Sequence, residues 1–103
     1  MATRIIALFN LKPGIDRATY EEWARGVDLP TVNALPSITE FTVFRTVVTL
    51  GSEAPPPYQY IEVIDVADMD QFGRDIAAET MQKIAAQFQD MADVTFILTD
   101  KLG

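Results

Sequence analysis

The feature that most constrains this chain is that its β-rich segments are apolar on both of their alternating faces. In residues 5–9, IIALF, every position is apolar, and both parities of the segments 38–50 and 58–66 carry large apolar side chains. A sheet that packs helices on one face and meets water on the other would instead alternate apolar and polar residues. Both faces of the predicted sheet must therefore be covered.

The chain divides into six elements in the order β-α-β-β-α-β. Dense β-branched and aromatic residues predict strands over 2–12, 38–50, 58–66 and 93–101. A first helix is predicted from its N-cap Asp16 to Leu29-Pro30, with one further turn within 31–37, and a second helical stretch follows Asp68 with a break near 77–79. This order is typical of the ferredoxin-like α+β sandwich.

The length of 103 residues predicts one domain spanning 1–103. Helices can cover only one face of its sheet, and a large exposed apolar face is rarely left bare. The simplest cover for the other face is a second copy of the chain, since two-fold homodimers are the commonest oligomers. The sequence therefore predicts a dimeric α+β barrel in which two sheets lie face to face.

The charge balance argues against two kinds of partner. The chain has 15 acidic and 8 basic residues and a net charge of −7, which disfavours nucleic acid and anionic membrane surfaces. The apolar run near the N-terminus is five residues long, too short for a signal peptide or a membrane span. A cytoplasmic protein is expected.

The chain contains no His and no Cys. A Ser–His–Asp triad, a thiolate nucleophile and a His-ligated haem are thereby excluded, and any general acid or base must be Asp, Glu, Tyr or Lys. The acids around Asp68 look like helix caps, so no metal site is predicted. No cofactor is expected.

Two charged residues interrupt the apolar strands, Arg45 in 38–50 and Glu62 in 58–66. If the hairpin register pairs residue 45 near residue 62, Arg45 would keep a buried Glu62 ionised, and we predict such a pair. The pair is either structural or part of a pocket between sheet and helices. In the functional alternative the catalytic candidates are Glu62, Arg45 and Tyr60.

Four further residues are candidates for binding a substrate: Trp23, Tyr20, Asn10 and Asp28. Tyr20 and Trp23 share a helix face with Val27, so they are either core residues or the aromatic wall of a pocket. Asn10 lies in a strand interior or at its exposed end. Asp28 either caps the turn at 31–35 or makes a hydrogen bond to Asn33 or to a ligand.

Several stretches together resemble the REDY-like HapK family, small proteins associated with the biosynthesis of red tripyrrole pigments. They include LKPG (11–14), YEEWAR (20–25), DLPTVNALPS (28–37), FTVFRT (41–46), YQYIEVIDVADM (58–69) and MQKIAAQF (81–88). The resemblance covers nearly the whole chain and implies a dimeric α+β barrel. Cofactor-free oxygenases of this fold use Trp, Asn, Tyr and Arg, residue types that Trp23, Asn10, Tyr60 and Arg45 supply.

Two functions follow as hypotheses. The first is a small homodimeric protein that binds or processes a hydrophobic aromatic small molecule in a pocket between sheet and helices, without a cofactor. The alternative is a non-catalytic dimer that holds a ligand or a partner protein and turns nothing over.

Overall fold

The computed structural model describes residues 3–103, which form a two-layer α+β fold. The strands are β1 (Thr3–Leu11), β2 (Ile38–Arg45), β3 (Tyr60–Val66) and β4 (Ala92–Thr99). They make one antiparallel sheet in the order β2-β3-β1-β4. The helices are α1 (Arg17–Trp23), α2 (Leu29–Asn33), α3 (Met69–Ala77) and α4 (Glu79–Met91). The predicted ferredoxin-like order is confirmed, and the predicted start of the first strand at Ala2 lies outside the described residues.

The helices begin where the sequence places caps. Asp16 accepts a hydrogen bond from the backbone N–H of Thr19 at 2.8 Å, and Asp68 accepts from the backbone N–H groups of Asp70 and Gln71. The predicted break near 77–79 is Ala78, an extended residue between α3 and α4. The caps and this break direct the helices over one face of the sheet, which we call the inner face.

A π-helical turn, Ala24–Asp28, joins α1 to α2. The N–H of Leu29 donates to the carbonyl of Ala24, five residues earlier, because Pro30 has no N–H and its ring would crowd the carbonyl of Gly26 in a regular helix. The helix was predicted to end at Leu29-Pro30, with one further turn within 31–37, but the chain continues without a break to Asn33 by widening this turn.

The wide turn changes which residues face the sheet. Tyr20, Ala24, Asp28 and Val32, each four positions after the last, are all buried, whereas Val27 is 38% exposed. A regular α-helix drifts away from a four-residue spacing, and the π turn corrects that drift. The prediction that Val27 lies on the buried face of the helix is therefore wrong, because Asp28 lies on that face instead.

The other face of the sheet, which we call the outer face, is mostly apolar in its two central rows, each of which includes one threonine on an edge strand. Two rows of neighbouring residues cross it: Phe44, Ile61, Leu8 and Thr95, and beside them Thr42, Val63, Ile6 and Ile97. Phe44 and Ile97 are 53% and 43% exposed. Apolar side chains on both faces were predicted, and no element of the chain covers this second face in residues 3–103.

The strand predicted over 38–50 is shorter than expected, because β2 ends at Arg45. The following residues 46–49 form no regular secondary structure and Leu50 lies in a turn, and Val47, Val48 and Leu50 are largely exposed. β3 begins at Tyr60 rather than at residue 58. Over residues 3–103, no helix is both long enough and apolar enough to cross a membrane.

Candidate functional site

A cavity of about 360 Å³ lies between the inner face of the sheet and the helices. Most of its wall is apolar and comes from both layers, including Ile5, Phe41, Ile64, Phe72, Met81 and Phe88. It opens beside β4, where the lining residues Phe96 and Leu98 are half exposed or more. A volume of this size and a mostly apolar wall are typical of small-molecule sites.

Two carboxyl groups, Asp28 and Glu62, line this cavity. Asp28 comes from the π turn above the sheet and is 5% exposed, while Glu62 comes from the centre of β3 and is 2% exposed. Within the described part of the chain, they are the only charged side chains of the cavity wall.

Burial raises the pKa of both carboxyl groups. The pKa of Glu62 rises to about 8, chiefly through burial and secondly through the charge of Asp28, and the pKa of Asp28 rises to about 7 through burial. At neutral pH Glu62 is therefore mostly protonated, while Asp28 is close to its midpoint. We call Asp28 and Glu62 the buried carboxyl pair.

Two polar atoms near this pair lack partners. Glu62 Oε2 and the Tyr20 hydroxyl are both buried, and neither has a hydrogen-bond partner in the structure. Burial raises the pKa of Tyr20 above its usual range, and the charges of Glu62 and Asp28 add to the shift. A buried polar atom without a partner costs roughly 1–3 kcal/mol, so the cavity is built to receive a polar group as well as an apolar body.

The predicted pair of Arg45 with Glu62 is wrong. The hairpin register places Arg45 opposite Tyr60 and Val43 opposite Glu62, two residues away from the predicted alignment. Arg45 and Glu62 do share a face, but the guanidinium of Arg45 reaches out to Glu21 on α1, 3.0 Å away.

Glu21 is the centre of a separate polar cluster at the edge of the sheet. It accepts hydrogen bonds from the Tyr60 hydroxyl at 2.7 Å and from Arg45, and it pairs with Arg25 at 3.3 Å. The hydrogen bond from Tyr60 and the charge of Arg45 hold the pKa of Glu21 below its usual range, against the effect of burial. Burial and Glu21 raise the pKa of Tyr60 to about 12. Arg45 and Tyr60, predicted to be catalytic, thus join α1 to the sheet.

Asn10 and Trp23 have structural contacts outside the cavity. Asn10 donates to the carbonyl of Pro57 and accepts from the N–H of Gln59, so it holds the segment that leads into β3. Trp23 stacks on Phe88 with ring centroids 6.2 Å apart, and its Nε1 donates to Gln87. The structure places neither residue in the cavity wall with Asp28 and Glu62.

Asp28 does not cap the next helical turn, which was the first prediction for it, because its side chain makes no capping hydrogen bond. Asn33 does not bond to Asp28 either. Its amide donates to the carbonyls of Leu29 and Phe41 and accepts from the N–H of Phe41, which ties α2 to β2. The side chain of Asp28 therefore makes neither predicted contact and lines the cavity.

Sequence reasoning missed Glu21 and the pairing of Asp28 with Glu62. Nothing in the local sequence signals that an arginine from an edge strand will reach Glu21. The π turn that directs Asp28 inward did have a signal, namely Gly26 followed by Pro30 four residues later.

A four-stranded antiparallel sheet with helices on one face, enclosing a cavity between the layers, defines a class of ferredoxin-like proteins. SnoaB, a cofactor-independent oxygenase from Streptomyces nogalater, is 16% identical over 97% of this chain and 92% of its own, with a TM-score of 0.76. A dimeric ferredoxin-like protein of unknown function from Thermobifida fusca is 22% identical over 96% of this chain and 90% of its own, with a TM-score of 0.71. These likenesses show the fold.

The family is more specific. The model of the REDY-like protein HapK family matches residues 3–102. The crystal structure of HapK from Hahella chejuensis is 33% identical over 100% of this chain and 94% of its own, with a TM-score of 0.76. The chain belongs to the REDY-like HapK family, as its sequence stretches predicted. No curated protein matches it.

Proposed function

We propose that this protein is a cytoplasmic homodimer that binds a hydrophobic aromatic small molecule in the cavity between sheet and helices. The observation that carries the proposal is an apolar cavity of about 360 Å³ with two buried carboxyl groups in its wall. Membership of the REDY-like HapK family supports a role in secondary metabolism of the tripyrrole type. The apolar outer face supports the homodimer, since a second copy would cover it.

The binding test enlarges one side chain of the cavity wall. Ala85 and its neighbour Ala86 on α4 are both exposed, but Ala85 lines the cavity and Ala86 does not. N-phenylnaphthylamine, a neutral aromatic probe whose fluorescence rises in apolar surroundings, should bind the unchanged protein. Ala85→Trp should weaken binding roughly tenfold or more by occupying the space, while Ala86→Trp should leave it unchanged.

Circular dichroism and thermal melting would establish that both variants are folded. Equal binding by Ala85→Trp and Ala86→Trp, or no binding by the unchanged protein, would contradict the proposed cavity function.

A second candidate function is acid–base catalysis on the bound molecule. The observation that favours it is the buried carboxyl pair, whose pKa values lie near neutrality, where a general acid or base works best. A protonated Glu62 can donate its proton to a ring atom of the ligand, and Asp28 can accept the proton that the same atom loses. The alternative is a protein that holds its ligand and turns nothing over.

Indole distinguishes catalysis from holding. Protonation of its ring carbon and loss of the original proton exchange hydrogen for deuterium in heavy water, which NMR measures directly. An acid–base catalyst should accelerate the exchange, and Glu62→Gln should abolish the acceleration while keeping affinity. Indole that binds without faster exchange would leave the holding function as the better account.

A further inference from the structure

The polar groups of the cavity wall are two carboxyl groups and two amides, and a carboxyl group only accepts hydrogen bonds once it is ionised. Glu62 and Asp28 offer carboxyl oxygens, and Glu62 Oε2 is buried without a partner. Gln82 donates one amide N–H to the carbonyl of Ile76 at 2.8 Å, so its oxygen and its second N–H remain available. Among residues 3–103, Gln89 is the one further polar residue of the wall. A ligand that satisfies the buried carboxyl oxygens must bring donors.

The charge of the cavity wall also favours a ligand that brings hydrogen-bond donors. No Lys or Arg from residues 3–103 lines it, and the nearby arginines Arg25 and Arg45 are bound to Glu21 in the separate polar cluster. A carboxylate or phosphate entering this cavity would meet two acidic groups in a poorly screened environment and no compensating cation. A cation would meet two groups able to neutralise it.

We propose that the cavity selects aromatic ligands that carry a protonated amine or another strong N–H donor, and that it discriminates against anionic ligands. This inference rests on the proposed function, because it names the chemical class of molecule that the cavity takes. The apolar wall holds the ring system, and the buried carboxyl pair receives the nitrogen. Glu62 and Asp28 approach the nitrogen from opposite layers, from β3 below and the π turn above.

Binding of a cation is coupled to the protonation of the pair. Both carboxyl groups hold protons more tightly than usual because burial disfavours their charged forms, and a neighbouring ammonium group reverses that effect. Tyr20 is the other titratable group close to them, with Glu21 and Tyr60 beyond it. The charged side chains of α3 and α4 do not line the cavity: Asp70, Arg74, Asp75, Glu79, Lys83 and Asp90. Binding of an amine should therefore release protons from Asp28 and Glu62.

The test compares three ligands with one ring system: naphthylmethylamine, naphthylmethanol and naphthoic acid. Calorimetric titration or displacement of N-phenylnaphthylamine should rank the amine first, the alcohol second and the acid last, with about tenfold or more between amine and acid near pH 7.5. Comparable affinity for amine and acid would overturn the selectivity while leaving cavity binding intact. Failure of all four aromatic molecules to bind would overturn both proposals.

Substitutions of the buried carboxyl pair test whether these two residues produce the preference for the amine. Glu62→Gln with Asp28→Asn should reduce the preference for the amine to within about twofold of the alcohol while preserving affinity for the alcohol. Glu79→Gln, which removes an exposed charge on α4, is the matched control and should keep the full preference. An unchanged preference in the double variant would overturn the role of the pair.

A measurement on the unchanged protein makes the test independent of whether the variants fold. Titration of the amine near pH 6.5, in two buffers with different ionisation enthalpies, counts the protons released on binding. A release between about 0.5 and 2 protons is expected from the two carboxyl groups, and the alcohol should release fewer. Amine binding without proton release would contradict the proposed contact with the pair.

Discussion

At the scale of single residues, the buried carboxyl pair departs most from what a core position ordinarily holds. The sequence identified Glu62 as anomalous because a carboxyl group stood in an apolar strand. Its partner could not be found from the sequence, since the predicted register was two residues off and Asp28 was expected to cap a helical turn. Isolated buried carboxyl groups stay protonated rather than ionised, and the raised pKa values of both groups agree with this.

Substitution of Glu62 should change how stability depends on pH. Because the pKa of Glu62 rises from 4.5 to about 8 on folding, the folded protein keeps a proton that the unfolded chain has released between these values. Stability is therefore expected to fall as pH rises through this window, by an amount on the order of 3 kcal/mol for this group. Glu62→Gln should flatten the decline in urea unfolding measured between about pH 5 and pH 8. Parallel curves for Glu62→Gln and the unchanged protein would contradict the raised pKa.

At the scale of elements, α1 is fixed to the sheet by Glu21, while the π turn and α2 hold Asp28 above it. The strands and helix starts could be predicted, because β-branched runs and capping residues are local signals. The π turn could not be placed from periodicity, which assumes one constant rotation per residue. The register of the hairpin could not be predicted either. A tight turn would fix the register, but β2 and β3 are joined by a long segment.

Removal of Glu21 should destabilise the protein without affecting the cavity. Glu21→Ala would leave the Tyr60 hydroxyl without an acceptor and Arg45 without its partner, at a cost of roughly 2 kcal/mol. Glu22→Ala is the matched control, because Glu22 is exposed, and its effect should stay within about 0.5 kcal/mol. Chemical denaturation measures both. Equal stability of the two variants would show that the cluster contributes nothing.

Substitution of Pro30 should relax the π turn. Pro30→Ala restores an N–H that can bond to the carbonyl of Gly26, which favours a regular helix and turns Asp28 away from the cavity. The pKa of Asp28, followed by carbon NMR of its carboxyl group, should then fall from about 7 toward the ordinary range. Pro36→Ala, at an exposed position after α2, should leave it raised. An Asp28 pKa that stays near 7 in Pro30→Ala would mean that the turn does not depend on the proline.

At the scale of the whole molecule, the apolar outer face is the feature that the sequence predicted most directly. It was visible without knowledge of register, because both parities of three strands were apolar, and two mostly apolar rows cross the four strands of the structure. One end of this face is polar, because Arg4 and Asp65 form an ion pair there at 2.7 Å. An apolar centre with a polar margin is the usual anatomy of a protein–protein interface.

A charge at the centre of the outer face should separate the proposed homodimer. Val63→Lys places an ammonium group between Thr42 and Ile6, where a facing sheet offers no room for its hydration. Sedimentation should show a dimer for the unchanged protein and a monomer for Val63→Lys. Ala86→Lys, on the exposed side of α4, should remain dimeric. A monomeric unchanged protein, or a dimeric Val63→Lys variant, would contradict this assembly.

The two members of the buried carboxyl pair belong to different layers, Asp28 to the helices and Glu62 to the sheet. A small molecule that joins them would fasten one layer to the other, and its binding energy would add to the stability of the fold. Empty copies would open more often than loaded ones, and proteases would remove them first. The amount of this protein in a cell would then follow the supply of the molecule it holds, so that abundance itself becomes a record of metabolite concentration.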